Sequence, residues 1–219
     1  MHYQWNFAFL LHYKSLIWIG LGYTIGFTVG TTICALLLGG LIALIRLSKL
    51  RLIGTAVTGF MEIFRCTPVL VQLIWCYYAL PVISGISLSA SVAAFITLSL
   101  YGASFFSEII RGGIISVDAG QWDAGRALGM RRHRLMMRII LPQALRRMVP
   151  PLVNQTVMQL KNTSLLSVVA APDLLYQGQL ITSASYRPLE VYTMIAIIYF
   201  ALLFPLTRFA KRLETNKQP

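Results

Sequence analysis

The chain has 219 residues, with 19 Lys and Arg against 7 Asp and Glu, a net charge of +12. Only 12% of its residues are charged and 57% are hydrophobic, whereas a soluble domain carries about a quarter charged residues. That balance excludes a cytosolic enzyme, a disordered tail and a free nucleic-acid binder, and it describes an integral membrane protein of one domain over residues 1–219.

Uncharged runs place the spans. Between Lys14 and Arg46 lie 31 residues without a charge, more than the ~20 a helix needs to cross a bilayer and more than the core of a signal peptide. This first span is expected over about 16–45. A second, about 54–80, contains Glu62 and Arg65 and ends at Pro81 and a Ser-Gly-Ile-Ser connection. A third is expected over about 88–107, closing at Glu108. The fourth, about 149–171, contains Lys161, and the fifth covers about 191–207. The fold class is therefore all-α, with five transmembrane helices and a long loop over 111–148.

Short cytoplasmic loops hold the excess of Lys and Arg. With the N-terminus outside, the cytoplasmic segments collect Arg46, Lys49 and Arg51, then eight arginines from Arg111 to Arg147, then Arg208, Lys211, Arg212 and Lys217, fifteen of the 19 cations. The charge is thus accounted for by topology and by contact with anionic lipid, and no nucleic-acid motif accompanies it. The C-terminus is expected in the cytoplasm.

Single residues carry weaker signals. Gly22, Gly26 and Gly30 line one face of the first span, either as a helix contact or as glycines common in membrane helices. Cys34, Cys66 and Cys76 sit in apolar runs with neither disulfide nor metal spacing. Glu62 and Arg65 are three residues apart and can pair on one face. They are read either as a structural pair or as part of a solute pathway, since intramembrane charges are functional candidates. Pro68 should break the helix next to Thr67, and Gln72 follows one turn later, where it could face a solute. Glu108 is expected to help close the long loop. His133 has no ligand partners, Met136 and Met137 are packing residues, and no catalytic triad is present.

The long loop contains Asp118 to Met130, a short helix by its alanines, with Asp at its start and Arg beyond its end. Trp122 and Arg126 share one face, and Gly125 and Gly129 leave another almost bare. Pro142 should break the next helix, and Pro150-Pro151 should mark entry to the fourth span.

Asp123-Ala124-Gly125, three residues, Gly129, nine residues, Ile139, one residue and Leu141-Pro142 resembles the EAA loop of ABC-transporter permeases. Asp123 stands for the usual glutamate and Gly125 for the second alanine. Phe64-Arg65-Cys66-Thr67-Pro68-Val69-Leu70-Val71-Gln72 and Leu160-Lys161-Asn162-Thr163-Ser164-Leu165 resemble signatures of the polar amino-acid uptake branch. The likeness implies that Trp122, Asp123, Ala124, Gly125, Arg126 and Gly129 dock into an ATP-binding subunit. It implies partners: that ATPase, a second permease, identical or homologous, and an extracytoplasmic solute-binding protein. The chain has no phosphate-binding G-x-x-x-x-G-K-[ST] loop, so it is expected to be no enzyme, with ATP and Mg held by the partner. Localisation in the bacterial inner membrane follows from the resemblance.

Candidates for the amino-acid pathway are Glu62, Arg65, Thr67, Gln72, Lys161, Asn162, Thr163 and Ser164. Lys161 and Asn162 lie about 11 residues past Pro150, ~16 Å along a helix, near mid-membrane, and Arg65 is expected at similar depth. Relatives in this branch often have an acid where Asn162 stands. An amide there, with two cations against Glu62, favours acidic or amide amino acids over arginine or lysine. The alternative class is an ion-coupled secondary transporter or channel, which predicts an internal repeat that the chain lacks.

Overall fold

In the computed structural model, residues 3–48 and 51–215 are described. Lys49 and Lys217, two of the orientation charges, lie outside the described residues. The first helix, α1 (Lys14–Leu47), follows a 3-10 segment, Ala8–Tyr13. Its buried stripe is Gly20, Thr24, Thr28, Thr31, Ala35, Gly39 and Ala43, steps of three and four that keep small residues on one face. Threonines can sit there because Thr28 and Thr31 return their hydroxyls to backbone carbonyls one turn back. The expected glycine stripe faces elsewhere. A side chain at Gly22 or Gly26 would meet nothing within 4 Å, and Gly30 meets only the Phe95 ring. Small residues mark where a helix can be approached, and here threonine and alanine make most of the approach.

The segment expected as a second span is two helices. α2 (Arg51–Cys66) and α3 (Val69–Ser84) meet at an angle of 103° across Thr67 and Pro68. Proline has no N–H for the helix ladder and disfavours helical geometry in the residue before it. Within α3, a π-helical turn at Trp75–Ala79 precedes Pro81. Its wider ring spares the proline the bond it cannot make.

The central helix is α4 (Ala90–Ile115), capped by the Ser89 side chain. It runs beyond the expected 107 because Glu108 and Arg111 pair on its surface. It packs against α1 through Ala35, Ala103 and Phe106, and a Cβ at Gly39 would lie 2.9 Å from that of Phe106.

After a tight connection come α5 (Ala119–Ala127) and the single turn α6 (Arg132–Leu135). A π-helical turn at Met136–Ile140 leads into α7 (Leu141–Asn162). Pro142 therefore falls at the start of α7, where its missing N–H costs little, rather than breaking a helix. Pro150 and Pro151 lie inside α7, which continues through them. The expected fourth span is also divided. Helix ends at Asn162, a 3-10 segment covers Thr163–Val169, and Ala170 takes a left-handed φ of 57°.

Asp173 then caps α8 (Leu174–Ser185) by accepting from the amides of Leu175 and Tyr176. The Leu174 amide donates to Thr24 Oγ1 at 3.1 Å, which ties this turn to α1. The last helix, α9 (Pro188–Thr215), exposes Ile197, Phe200, Phe204 and Phe209 as an apolar outer face. Its buried Glu190 accepts from Arg187 at 2.8 Å, from the Asn6 amide, and from the Tyr3 hydroxyl. The carboxylate beside it raises the pKa of the Tyr3 phenol. The N-terminal strand of chain is thus strapped to the start of α9.

Among the described residues, three helical stretches are long and apolar enough to cross a membrane: Ala8–Leu47, Ala90–Ile115 and Pro188–Leu213. The bent pair of α2 and α3 counts as a fourth if taken as one span. α7 is long enough but carries Arg146, Arg147, Gln155, Gln159 and Lys161, which lowers its mean hydropathy below that of a span.

Candidate functional site

The loop motif folds as a short capped helix. Asp118 Oδ1 accepts from the Gly120 amide at 2.6 Å, which fixes the N-terminus of α5. At the other end, Met130 N–H bonds Gly125 O at 3.0 Å and Gly129 N–H bonds Arg126 O at 2.9 Å. Gly129 has a φ of +68°, the left-handed stop that glycine supplies without strain.

The two glycines therefore serve separate needs. Gly125 is buried, and a Cβ there would lie 2.3 Å from Leu135 Cδ1. Gly129 has nothing within 4 Å and is constrained by its backbone alone. Trp122 is half-buried against a cluster that includes Ile114, Val117, Leu135 and Ile140. It packs α5 onto its own chain and also lines the hollow beside the helix. The outward face carries Asp123, Ala124, Arg126 and Leu128, with Asp123 and Arg126 paired at 3.3 Å and Leu128 79% exposed. A hollow of about 450 Å3 lies beside the helix, between Ile115, Trp122, Arg126 and Arg132.

The pathway candidates separate into two groups. In the first, Arg65 pairs with Glu62 at 2.7 Å, as their spacing predicts. Arg65 also lies 3.9 Å from Glu108, which in turn binds Arg46 at 2.8 Å and Arg111. Glu108 is thus the hub joining α1, α2 and α4 rather than a loop closure. Gln72 donates to Phe64 O at 2.8 Å and to Thr67 O at 2.7 Å. Those carbonyls lost their helical partners at the Pro68 break, and the Gln72 amide replaces them. Thr67 and Gln72 also line an apolar hollow of about 450 Å3 in the crook of the bend.

In the second group, Asn162 lies beside Tyr101 near the midpoint of α4, and its Nδ2 is buried without a partner. Lys161 is exposed. Thr163 and Ser164 donate their hydroxyls to the carbonyls of Leu160 and Lys161. Arg65 lies over Phe105 and close to Glu108, four and seven residues along α4 from Tyr101, or about 6–10 Å nearer the α5 end. Arg65 and Asn162 thus meet α4 at different turns, and the bend at Pro68 sets the course of α2.

Arg46, Arg111 and Tyr101 were not singled out from sequence. Glu108 and Arg111 carry the spacing of an intrahelical pair. Arg46 and Tyr101 give no such local signal, since their partners are 62 and 61 positions away in the chain.

Residues 14–218 match the family described as binding-protein-dependent transport system inner membrane component. The chain is 32% identical over 213 residues to the probable glutamine ABC transporter permease protein GlnP of Bacillus subtilis, covering 96% of this chain and 97% of that one. It is 37% identical over 156 residues to the glutamine transport system permease protein GlnP of Escherichia coli, 71% of each chain. A crystal structure of an amino acid ABC transporter with histidines superposes with a TM-score of 0.91 at 33% identity, covering 98% of this chain and 100% of the other. An inward-facing structure of the MetNI methionine ABC transporter shares the fold, with a TM-score of 0.62 at 20% identity over 90% of this chain and 94% of that one. With its helical membrane architecture and its match from residue 14 to residue 218, the chain belongs to the inner-membrane permease components of binding-protein-dependent ABC transporters.

Proposed function

We infer that this chain forms half of the translocation pathway of an ATP-driven importer for polar amino acids, and that its substrate has an amide or acidic side chain. The observation that carries the substrate class is the amide of Asn162. It lies beside Tyr101 and next to Lys161, with a buried Nδ2 that has no partner. Such a donor suits a carbonyl or carboxylate oxygen and leaves a cationic side chain without a counter-charge. Relatives named for glutamine transport point the same way.

The N-terminus is placed outside and the C-terminus in the cytoplasm. That puts α5 in the cytoplasm, where its outer face meets the ATP-binding subunit. ATP and Mg belong to that subunit. A second permease, identical or homologous, completes the pathway, and a solute-binding protein delivers the amino acid from outside. ATP-driven approach of the ATPases moves the two copies of α5 together and shifts the pathway between its two orientations. Vesicles containing the permeases, the ATPase and the binding protein test this directly. Uptake should require ATP and should be blocked by excess glutamine, glutamate or aspartate. ATP-independent uptake, or competition by arginine alone, would refute the reading.

A further inference from the structure

We propose that a polar cleft at the α5 end of the spans binds a phosphate group, supplied by an anionic lipid headgroup or by free phosphate. The cleft has a volume of about 630 Å3 and lies between the end of α1, the start of α2 and the end of α4. Arg46, Arg111, Ser48, Thr55 and Thr58 line it, and Gly54 and Gly59 leave its wall open. A side chain at Gly59 would meet nothing within 4 Å, and one at Gly54 would make only ordinary contact with the backbone of Arg46 and Ile45.

Charge supplies the second reason. Arg46, Arg65 and Arg111 gather around Glu62 and Glu108, three guanidiniums against two carboxylates. The Arg46 side chain is only 10% exposed and bonds Glu108 through one of its two terminal nitrogens. An excess cation at the edge of a low-dielectric region is costly until an anion joins it. A phosphate balances the excess, and the guanidinium N–H groups match its oxygens. The position at the helix ends is headgroup depth, so a lipid can present its phosphate sideways while its chains stay in the bilayer.

The test follows the thermal unfolding of the full-length chain in zwitterionic detergent. Short-chain phosphatidylglycerol, phosphatidylcholine of equal chain length, and inorganic phosphate are titrated separately. The expected result is a saturable rise in Tm, with half-saturation at least tenfold lower for phosphatidylglycerol than for phosphatidylcholine. A comparable rise with millimolar phosphate, competing with the lipid, assigns the site to the free anion. Gly59→Glu places a carboxylate in the cleft. It should raise the ligand-free Tm toward the saturated wild-type value and weaken the lipid response at least tenfold. If Gly59→Glu does not fold, the three wild-type titrations decide alone. Equal responses to both lipids with none to phosphate would overturn the site, and so would an unchanged lipid titration in folded Gly59→Glu.

Discussion

The Gln72 side-chain amide donates to the Phe64 carbonyl at 2.8 Å across a helix bend of 103°. The same nitrogen reaches Thr67 O at 2.7 Å, so one side chain satisfies both carbonyls exposed by Pro68. Gln72→Leu leaves them without a donor, at about 1–3 kcal/mol for each buried polar group. Gln72→Glu offers only acceptors when ionised and should lower Tm at least as much. Apparent affinity for the amino acid should stay near the wild-type value in Gln72→Leu protein that folds. A large rise in KM with Tm unchanged would show that Gln72 serves the solute and not the bend.

The two glycines of the loop helix should respond differently to substitution. Gly125→Val drives methyl groups into Leu135, and overpacking of that kind costs about 1–3 kcal/mol. At Gly129 space is open, and the left-handed backbone sets the cost, about 1–2 kcal/mol for an ordinary residue. Gly129→Asn should therefore be milder than Gly129→Val, since asparagine tolerates that geometry. Thermal unfolding of the purified variants ranks them.

Docking of α5 is tested on its exposed face. Leu128 is 79% exposed, so Leu128→Glu should leave the unfolding free energy within about 0.5 kcal/mol of wild type. ATP-dependent uptake should be lost and ATPase activity should no longer respond to solute. Normal coupled uptake by Leu128→Glu would place the ATPase contact elsewhere.

Sequence spacing revealed the features made within one stretch of chain. The Pro68 break and the Glu62–Arg65 pair follow from a missing N–H and from three-residue spacing. The cap at Asp118 follows from the preference of short polar side chains for helix starts. Features joining distant segments were not readable in this way. Arg46 meets Glu108 only because α1 packs on α4, and Asn162 meets Tyr101 only because α7 does. The same holds for the glycines, since nothing local separates the exposed Gly22 and Gly26 from the buried Gly20 and Gly39. Apolar residues continue past Asn162, so the fourth run reads as one span, whereas the chain there winds as 3-10 helix with the hydroxyls of Thr163, Ser164 and Ser167 bonded to carbonyls three residues back.

Orientation can be read by thiol labelling at exposed positions. A cysteine at Gly178 would be a poor reporter, because its Cβ would lie 1.9 Å from Ile195 Cδ1. Tyr186, 88% exposed at the turn before α9, is a better one, and Leu128 reports on the opposite end. With the N-terminus outside, an impermeant reagent added to intact cells lacking the outer membrane should label Tyr186→Cys and spare Leu128→Cys. The reverse pattern would invert the topology.

Substrate charge is tested at Asn162. Its amide lies beside the Tyr101 side chain, and its Nδ2 is buried without a partner. Asn162→Asp keeps the shape, while the donor is replaced by a negative charge. In a region of low dielectric, that charge attracts a guanidinium or ammonium and repels a carboxylate. Lys161, the preceding residue, is exposed and compensates only in part. ATP-driven glutamine uptake by Asn162→Asp should therefore become sensitive to arginine, with its half-inhibitory concentration falling at least tenfold, a change of about 1.4 kcal/mol. Inhibition by glutamate should weaken by a similar factor. Tyr101→Phe separates the neighbouring hydroxyl from charge: its loss should change KM for glutamine while the order of competitors stays as in wild type. If Asn162→Asp and the wild type rank arginine, glutamate and glutamine alike, the residue packs between helices, and substrate choice lies with other groups.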